Sequence, residues 1–171
     1  MDMRDVVADN MSGFEKLVAK IPGYKGYKQK EMRRDADKLL RAHIYGVLTA
    51  QRRRIEDIQG ALGVAQIEYV EQIGKARRRL QTLADTVNTA AYGYSGLFDA
   101  VKVGEEELDA LYAFDDNLLT ESDAIAASID SLQAAMDNDE SLSGAIRDLT
   151  GAVTRLRDLY NRRKDVITGR A

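Results

Sequence analysis

An amphipathic pattern of about 34 residues, from Gln29 to Leu62, sets the strongest limit on how this chain folds. Its seam runs Leu40, Ile44, Val47, Gln51, Ile55, Ile58, Leu62. Steps of three and four place these positions on one face of a helix. At 1.5 Å per residue that helix is roughly 50 Å long. A stripe of that length must be covered by other helices.

Three further stripes supply the cover. Tyr69, Ile73, Ala76, Leu80, Leu83, Val87 and Ala90 alternate by four and three, as a heptad seam does. Leu108, Leu111, Phe114, Leu118, Ile125, Ile129, Leu132 and Met136 form the next, with a polar break at Glu121-Ser122 that reads as a kink or a wet gap. Leu142, Ile146, Leu149, Val153, Leu156, Tyr160, Arg163 and Ile167 form the last. Helices are therefore expected over 29–62, 64–91, 104–136 and 141–167. Similar lengths joined by short links describe an all-α fold, an antiparallel four-helix bundle in up-down-up-down order. The longer link between the 64–91 and 104–136 helices suits neighbours as well. The Gly60–Gly63 stretch holds no Pro, Asn or Asp, so 29–91 reads either as a hairpin at Gly63 or as one continuous helix.

An additional amphipathic helix precedes the bundle over residues 1–21, making a single helical domain of 1–171. Met3, Val7, Met11, Phe14 and Val18 share one face, widened by Leu17 and Ile21, and Pro22-Gly23 ends the helix. Its polar face carries Asp2, Asp5, Asp9 and Glu15 against Arg4, Lys16 and Lys20. Helices that lie on membranes usually have Lys/Arg-rich polar faces, so packing on the bundle or on a neighbouring subunit fits better.

The net charge of −3 conceals a segregation. Residues 1–98 are net +5, 99–140 net −12 and 141–171 net +4. Either oppositely charged helices pack side by side, or basic and acidic surfaces face different partners. The densest basic stretch follows the first helix. Tyr24, Lys25, Tyr27 and Lys28 lie in the turn, and Lys30, Arg33, Arg34, Lys38 and Arg41 follow. With the triplets Arg52, Arg53, Arg54 and Arg77, Arg78, Arg79, the residues Tyr24, Lys25, Tyr27, Lys28, Lys30, Arg33 and Arg34 make up a candidate interaction surface for an anionic partner. The competing account has Tyr24 and Tyr27 plugging the bundle end while the lysines are solvated. A second aromatic-glycine loop, Tyr92 to Phe98, is expected to plug a bundle end likewise.

Catalytic and metal-site patterns are missing. With no cysteine there is no disulfide, thiolate metal site or Cys nucleophile. A di-iron centre needs two Glu-x-x-His motifs. His43 stands alone, with Leu40 three residues before it, and reads as structural. There is no G-x-S-x-G elbow, and Tyr92–Phe98 lacks the spacing and Lys of a phosphate loop. Asp137, Asp139, Ser141 and Asp148 resemble a calcium loop, but Leu142 stands where Gly is needed and Asp148 where Glu is. Helix capping by Asp139 accounts for these residues. Glu105, Glu106, Asp109, Asp115 and Asp116 read as a solvated acidic face. No metal or cofactor is expected.

The segments PGYKGYKQKEMRRDADKLLR (22–41) and AAYGYSGLFDAVKVGEEELDALY (90–112) resemble a family of bacterial all-helical proteins. These two segments cover about a quarter of the chain. The resemblance implies a bacterial cytoplasmic setting and carries no activity with it. In its long antiparallel helices after a short amphipathic one, the chain is also similar to the phage-shock-protein A class of membrane-stress proteins.

These features together favour a non-enzymatic interaction or scaffold protein that self-associates as a homo-oligomer or binds another protein. One alternative is peripheral binding to an anionic membrane surface, of a stress or membrane-maintenance type. Another is a small-ligand carrier or enzyme using the bundle core. Overall acidity argues against nucleic acid. No secretory leader and no membrane-spanning run are found in the sequence, so a cytoplasmic location, peripheral at the membrane in the first alternative, is expected.

Overall fold

The computed structural model describes residues 11–90 and 104–167, and the described residues are helical with no strand. Five α-helices follow in chain order: α1 (Gly13–Lys20), α2 (Arg33–Ala61), α3 (Ile67–Thr89), α4 (Glu105–Ala134) and α5 (Asp139–Ile167). Single 3₁₀ turns at Lys30–Met32 and Val64–Gln66 lead into α2 and α3. Met3 and Val7 of the expected first helix, and Tyr92, Tyr94 and Phe98 of the second aromatic loop, lie outside the described residues.

The starts of α1, α4 and α5 have local causes. Ser12 caps α1 in a capping box: its hydroxyl accepts from the Glu15 N–H, while the Ser12 N–H donates to the Glu15 carboxylate at 2.7 Å. Glu105, Glu106 and Glu107 open α4 at the positive end of its dipole. At α5 the cap is Asn138, whose Oδ1 accepts the Ser141 N–H at 3.1 Å. This corrects the assignment to Asp139, which is the first residue of the helix. α2 stops at Ala61, and Leu62 and Gly63 are extended. α2 and α3 therefore form a hairpin and not one continuous helix.

Hydrogen bonds and ion pairs give the helix directions. Arg41 donates to the Val87 carbonyl, Arg77 pairs with Glu56, and Gln59 donates to the Val70 carbonyl. One residue number rises as the other falls, so α2 and α3 are antiparallel. Asp115–Arg163 and Glu121–Arg155 show the same for α4 and α5. Across the two hairpins the sense is parallel. Arg163 reaches both Asp37 and Asp115, Arg54 meets Asp130, and Gln66 donates to Asp139. Going round the bundle, the order is α2, α3, α5, α4. The expectation that α3 and α4 are neighbours is corrected, because they lie across the diagonal. Two tight hairpins leave the longer 90–104 connection to join the diagonal pair.

The apolar stripes meet in one core. Leu40, Ile44, Leu48 and Ile55 of α2, Ile73 and Leu80 of α3, Leu118, Ile125 and Ile129 of α4, and Leu142 and Leu149 of α5 are fully buried. Leu48 takes the inward place expected of Val47, which is half-buried. Each fully buried aliphatic side chain contributes roughly 1.5–3 kcal/mol. The polar break on α4 is not open at Ser122. Ser122 is buried and its hydroxyl donates to the Leu118 carbonyl at 2.7 Å, which satisfies it within its own helix.

α1 docks on α4. Leu17 and Ile21 face inward, while Val18, expected on the apolar face, is 45% exposed. Lys16 and Lys20 lie 3.9 and 3.6 Å from Asp116. Asp116 therefore belongs to this contact and not to a free acidic face. Gly13 lets the two helices touch, since a Cβ there would stand 3.0 Å from the Ala113 nitrogen.

Candidate functional site

The repeated triplet Gly23-Tyr24-Lys25, Gly26-Tyr27-Lys28 builds the end of the bundle. Both glycines have φ of +78°, a left-handed backbone that favours glycine. Repeating the conformation sends both tyrosines inward and both lysines outward. Tyr24 and Tyr27 are 4% and 0% exposed. Tyr27 stacks on Tyr112 with centroids 5.6 Å apart, Tyr24 meets Tyr27 edge-on at 6.0 Å, and Phe14 of α1 closes on Tyr112 at 5.0 Å. The two tyrosines are thus a plug and not part of an exposed surface.

Beneath the plug lies a buried polar network. Arg163 of α5 donates from Nε to Asp115 Oδ1 at 2.8 Å and from Nη2 to Asp115 Oδ2 at 3.1 Å. Nη2 also reaches the Tyr27 hydroxyl at 2.9 Å, and Nη1 donates to Asp37 Oδ1. The Tyr27 hydroxyl donates to Asp115 Oδ2 at 2.6 Å. Arg41 donates from Nε to Asp37 Oδ2 at 2.8 Å and from Nη1 to the Val87 and Asn88 carbonyls at the C-terminal end of α3, where a cation also meets the negative end of the dipole. Tyr27 is engaged at its backbone too: its N–H donates to the Tyr112 hydroxyl, and its carbonyl accepts from Arg33 Nε.

Arg41 and Arg163 balance Asp37 and Asp115, so the four form a neutral set. Burial pulls the Arg163 guanidinium down, but Asp115, Tyr27 and Asp37 outweigh it and hold it well above its usual range. Burial, then Asp115, pushes the Tyr27 phenol well above its ordinary value, and the same two causes raise Tyr24. The arginine stays charged and both phenols stay neutral. Every network carboxylate oxygen accepts a hydrogen bond, and the set is covered by the plug. Removing any one of the four would strand a buried charge, which is costly. The acidic-face expectation fails at Asp115, which is 0% exposed. Arg163, the one charge in the α5 seam, was the signal that a buried acid had to face it.

The remaining candidate residues are dispersed. Lys25, Lys28, Lys30 and Arg34 are exposed at the plugged end, but Arg33 is buried beneath Tyr27. Lys25 and Lys28 border a depression shared with Glu105 and Asp109, so its charge is mixed. Arg52 and Arg77 both hold Glu56, and Arg54 holds Asp130. Arg53 is exposed on α2. Arg78 and Arg79 face a groove between α3 and α5. From Arg34 to Arg53 along α2 is about 28 Å, so these residues do not form one patch.

Sequence reasoning missed the far end of the bundle. The ten residues Ile58 to Ile67 carry no charge, and they run from the last turn of α2 through the α2–α3 turn to the first residue of α3. There Val64 is 89% and Ile67 70% exposed. The α4–α5 turn lies beside them through hydrogen bonds from Gln66 to the Met136 carbonyl and from Tyr69 to the Asp139 carbonyl. Residues 55–74 and 131–146 hold seven acids and no Lys or Arg, so the apolar tip has an acidic rim. Among the described residues no group of three or more His, Asp or Glu is placed to hold a metal, and no helix is long and apolar enough to cross a membrane. No protein-family model, curated protein or solved structure matches the chain.

Proposed function

We propose that the helices act as one rigid four-helix bundle and that the chain is a non-enzymatic interaction scaffold that self-associates. The observation carrying this is the hairpin tip, where Val64 and Ile67 are the two most exposed large apolar residues among the described ones. Exposed apolar surface with a polar rim is characteristic of protein contacts. A tip-to-tip dimer would bring the two acidic rims together, which like charges oppose. The contact is therefore heterologous, tip against a cationic face of a second copy. Sedimentation velocity at micromolar protein tests this. Assembly that is lost in Val64→Ser/Ile67→Ser supports it; a strict monomer across the concentration range, or assembly unchanged in the variant, refutes it.

A second reading is attachment to an anionic membrane surface, supported by the outward turn of Lys25 and Lys28. Cosedimentation with anionic and neutral vesicles separates the two. Equal behaviour on both vesicle types disposes of the membrane reading.

A further inference from the structure

Charge treats the four sides of the bundle differently. Arg77–Glu56 crosses the α2/α3 side, Arg54–Asp130 the α2/α4 side, and Arg155–Glu121 the α4/α5 side. Along the α3/α5 side cation faces cation. Lys75, Arg78 and Arg79 of α3 stand across from Arg157 of α5 over a groove of about 420 Å³, with Leu83 and Val153 among the residues that line it. No carboxylate is among its described lining residues. Among the described residues Lys75 pairs only with Glu71 of its own helix at 3.4 Å, and Arg157 only with the adjacent Asp158, through Nε at 3.1 Å and Nη2 at 2.9 Å, all well exposed. Among the described residues neither Arg78 nor Arg79 has a carboxylate within 4 Å.

Like charges facing across a helix seam oppose its closure, and an anion between them reverses the sign. Guanidinium groups hold phosphate oxygens in pairs, which an ammonium does not. Three arginines and a lysine with no carboxylate among the described lining carry a charge closer to that of two or three linked phosphates than to that of one. Thr154 and Asn161 add polar groups on the α5 wall. The geometry points to a binding site for a di- or triphosphate group in the α3/α5 groove, gripped by Arg78, Arg79 and Arg157. The same chemistry serves a free polyphosphate compound or a phosphorylated lipid headgroup.

The test is an NMR titration of the full chain with triphosphate, pyrophosphate and sulfate at constant ionic strength. Shifts gathered in residues 75–86 and 153–161, with triphosphate about tenfold tighter than sulfate or better, are expected. Arg78→Gln/Arg79→Gln weakens binding by about tenfold or more, while Arg147→Gln, elsewhere on α5, does not. Triphosphate also raises the melting temperature of the parent protein and not of the double variant. Shifts scattered over the helix ends, sulfate as tight as triphosphate, or equal loss in Arg147→Gln would overturn the site. A parallel arm uses vesicles carrying a phosphorylated inositol lipid or phosphatidylserine. Binding to the inositol lipid with none to soluble triphosphate assigns the group to a headgroup. Equal binding to both vesicles, or binding to no probe, overturns the proposal.

Discussion

Arg163 and Asp115 meet side-on through two hydrogen bonds, Nε to Oδ1 at 2.8 Å and Nη2 to Oδ2 at 3.1 Å, with both residues 0% exposed. They lie 48 residues apart on α4 and α5. A buried bidentate pair is costly to break from one side. Asp115→Ala is expected to destabilise the protein by about 3–5 kcal/mol, because Arg163 keeps its charge and loses its main acceptor. Asp115→Leu/Arg163→Met removes both charges and leaves Asp37 paired with Arg41. That double variant should recover about 2 kcal/mol or more of the loss. Urea unfolding of the three proteins checks this, and a double variant no better than the single would refute the account.

Gly23 and Gly26 share a φ of +78° but not their surroundings. A Cβ at Gly23 meets nothing within 4 Å, whereas one at Gly26 would stand 2.5 Å from the Tyr112 hydroxyl and 2.7 Å from the Phe14 ring. Gly23→Ala should lose only the left-handed strain, about 1–2 kcal/mol. Gly26→Ala carries that strain and also displaces the plug, so about 3 kcal/mol or more is expected. Equal midpoints for the two variants in urea would contradict the packed plug.

Alkaline stability follows from Tyr24 and Tyr27. Burial and Asp115 raise both phenols above the ordinary value of 10.0, so the unfolded chain loses these protons first. Their contribution is whole below about pH 10 and falls above it by about 1.4 kcal/mol per pH unit for each tyrosine. Tyrosinate absorbance followed with far-UV circular dichroism should show these two phenols ionising only as the helices melt. Tyr27→Phe should halve the slope above pH 10. Ionisation of all tyrosines before any loss of helix would refute the prediction.

Capping separates two neighbouring residues. Asn138→Ala removes the acceptor for the Ser141 N–H and should cost about 1 kcal/mol. Asp139→Asn keeps the helix start and an oxygen to accept from Gln66, and removes a first-turn charge, for about 0.3–1 kcal/mol at low salt. Thermal melts at low and high salt distinguish them, since only the second effect is screened.

Helix positions were legible because a seam repeating every three or four residues has one folded solution, burial of that face. Every residue of the α5 heptad from Leu142 to Ile167 is buried as its spacing requires. The tyrosine plug was legible as one of two readings of a repeated triplet, and only the positive φ at both glycines selected it. Asp115 was misplaced because it sits in a run of acids, and spacing within one helix carries no record of an arginine on another.

From its sequence alone the chain settles that it is all-helical and where the stripes lie, since periodicity is a local property, while the turn between α2 and α3 stays open between a hairpin and one continuous helix. Only tertiary structure decides that α3 lies diagonal to α4, that Arg163 finds both Asp37 and Asp115, and that cations face each other across the α3/α5 groove. Those outcomes depend on which hairpin face meets which. Buried charges pair there between segments more than 40 residues apart, a constraint that exists only once the helices have come together.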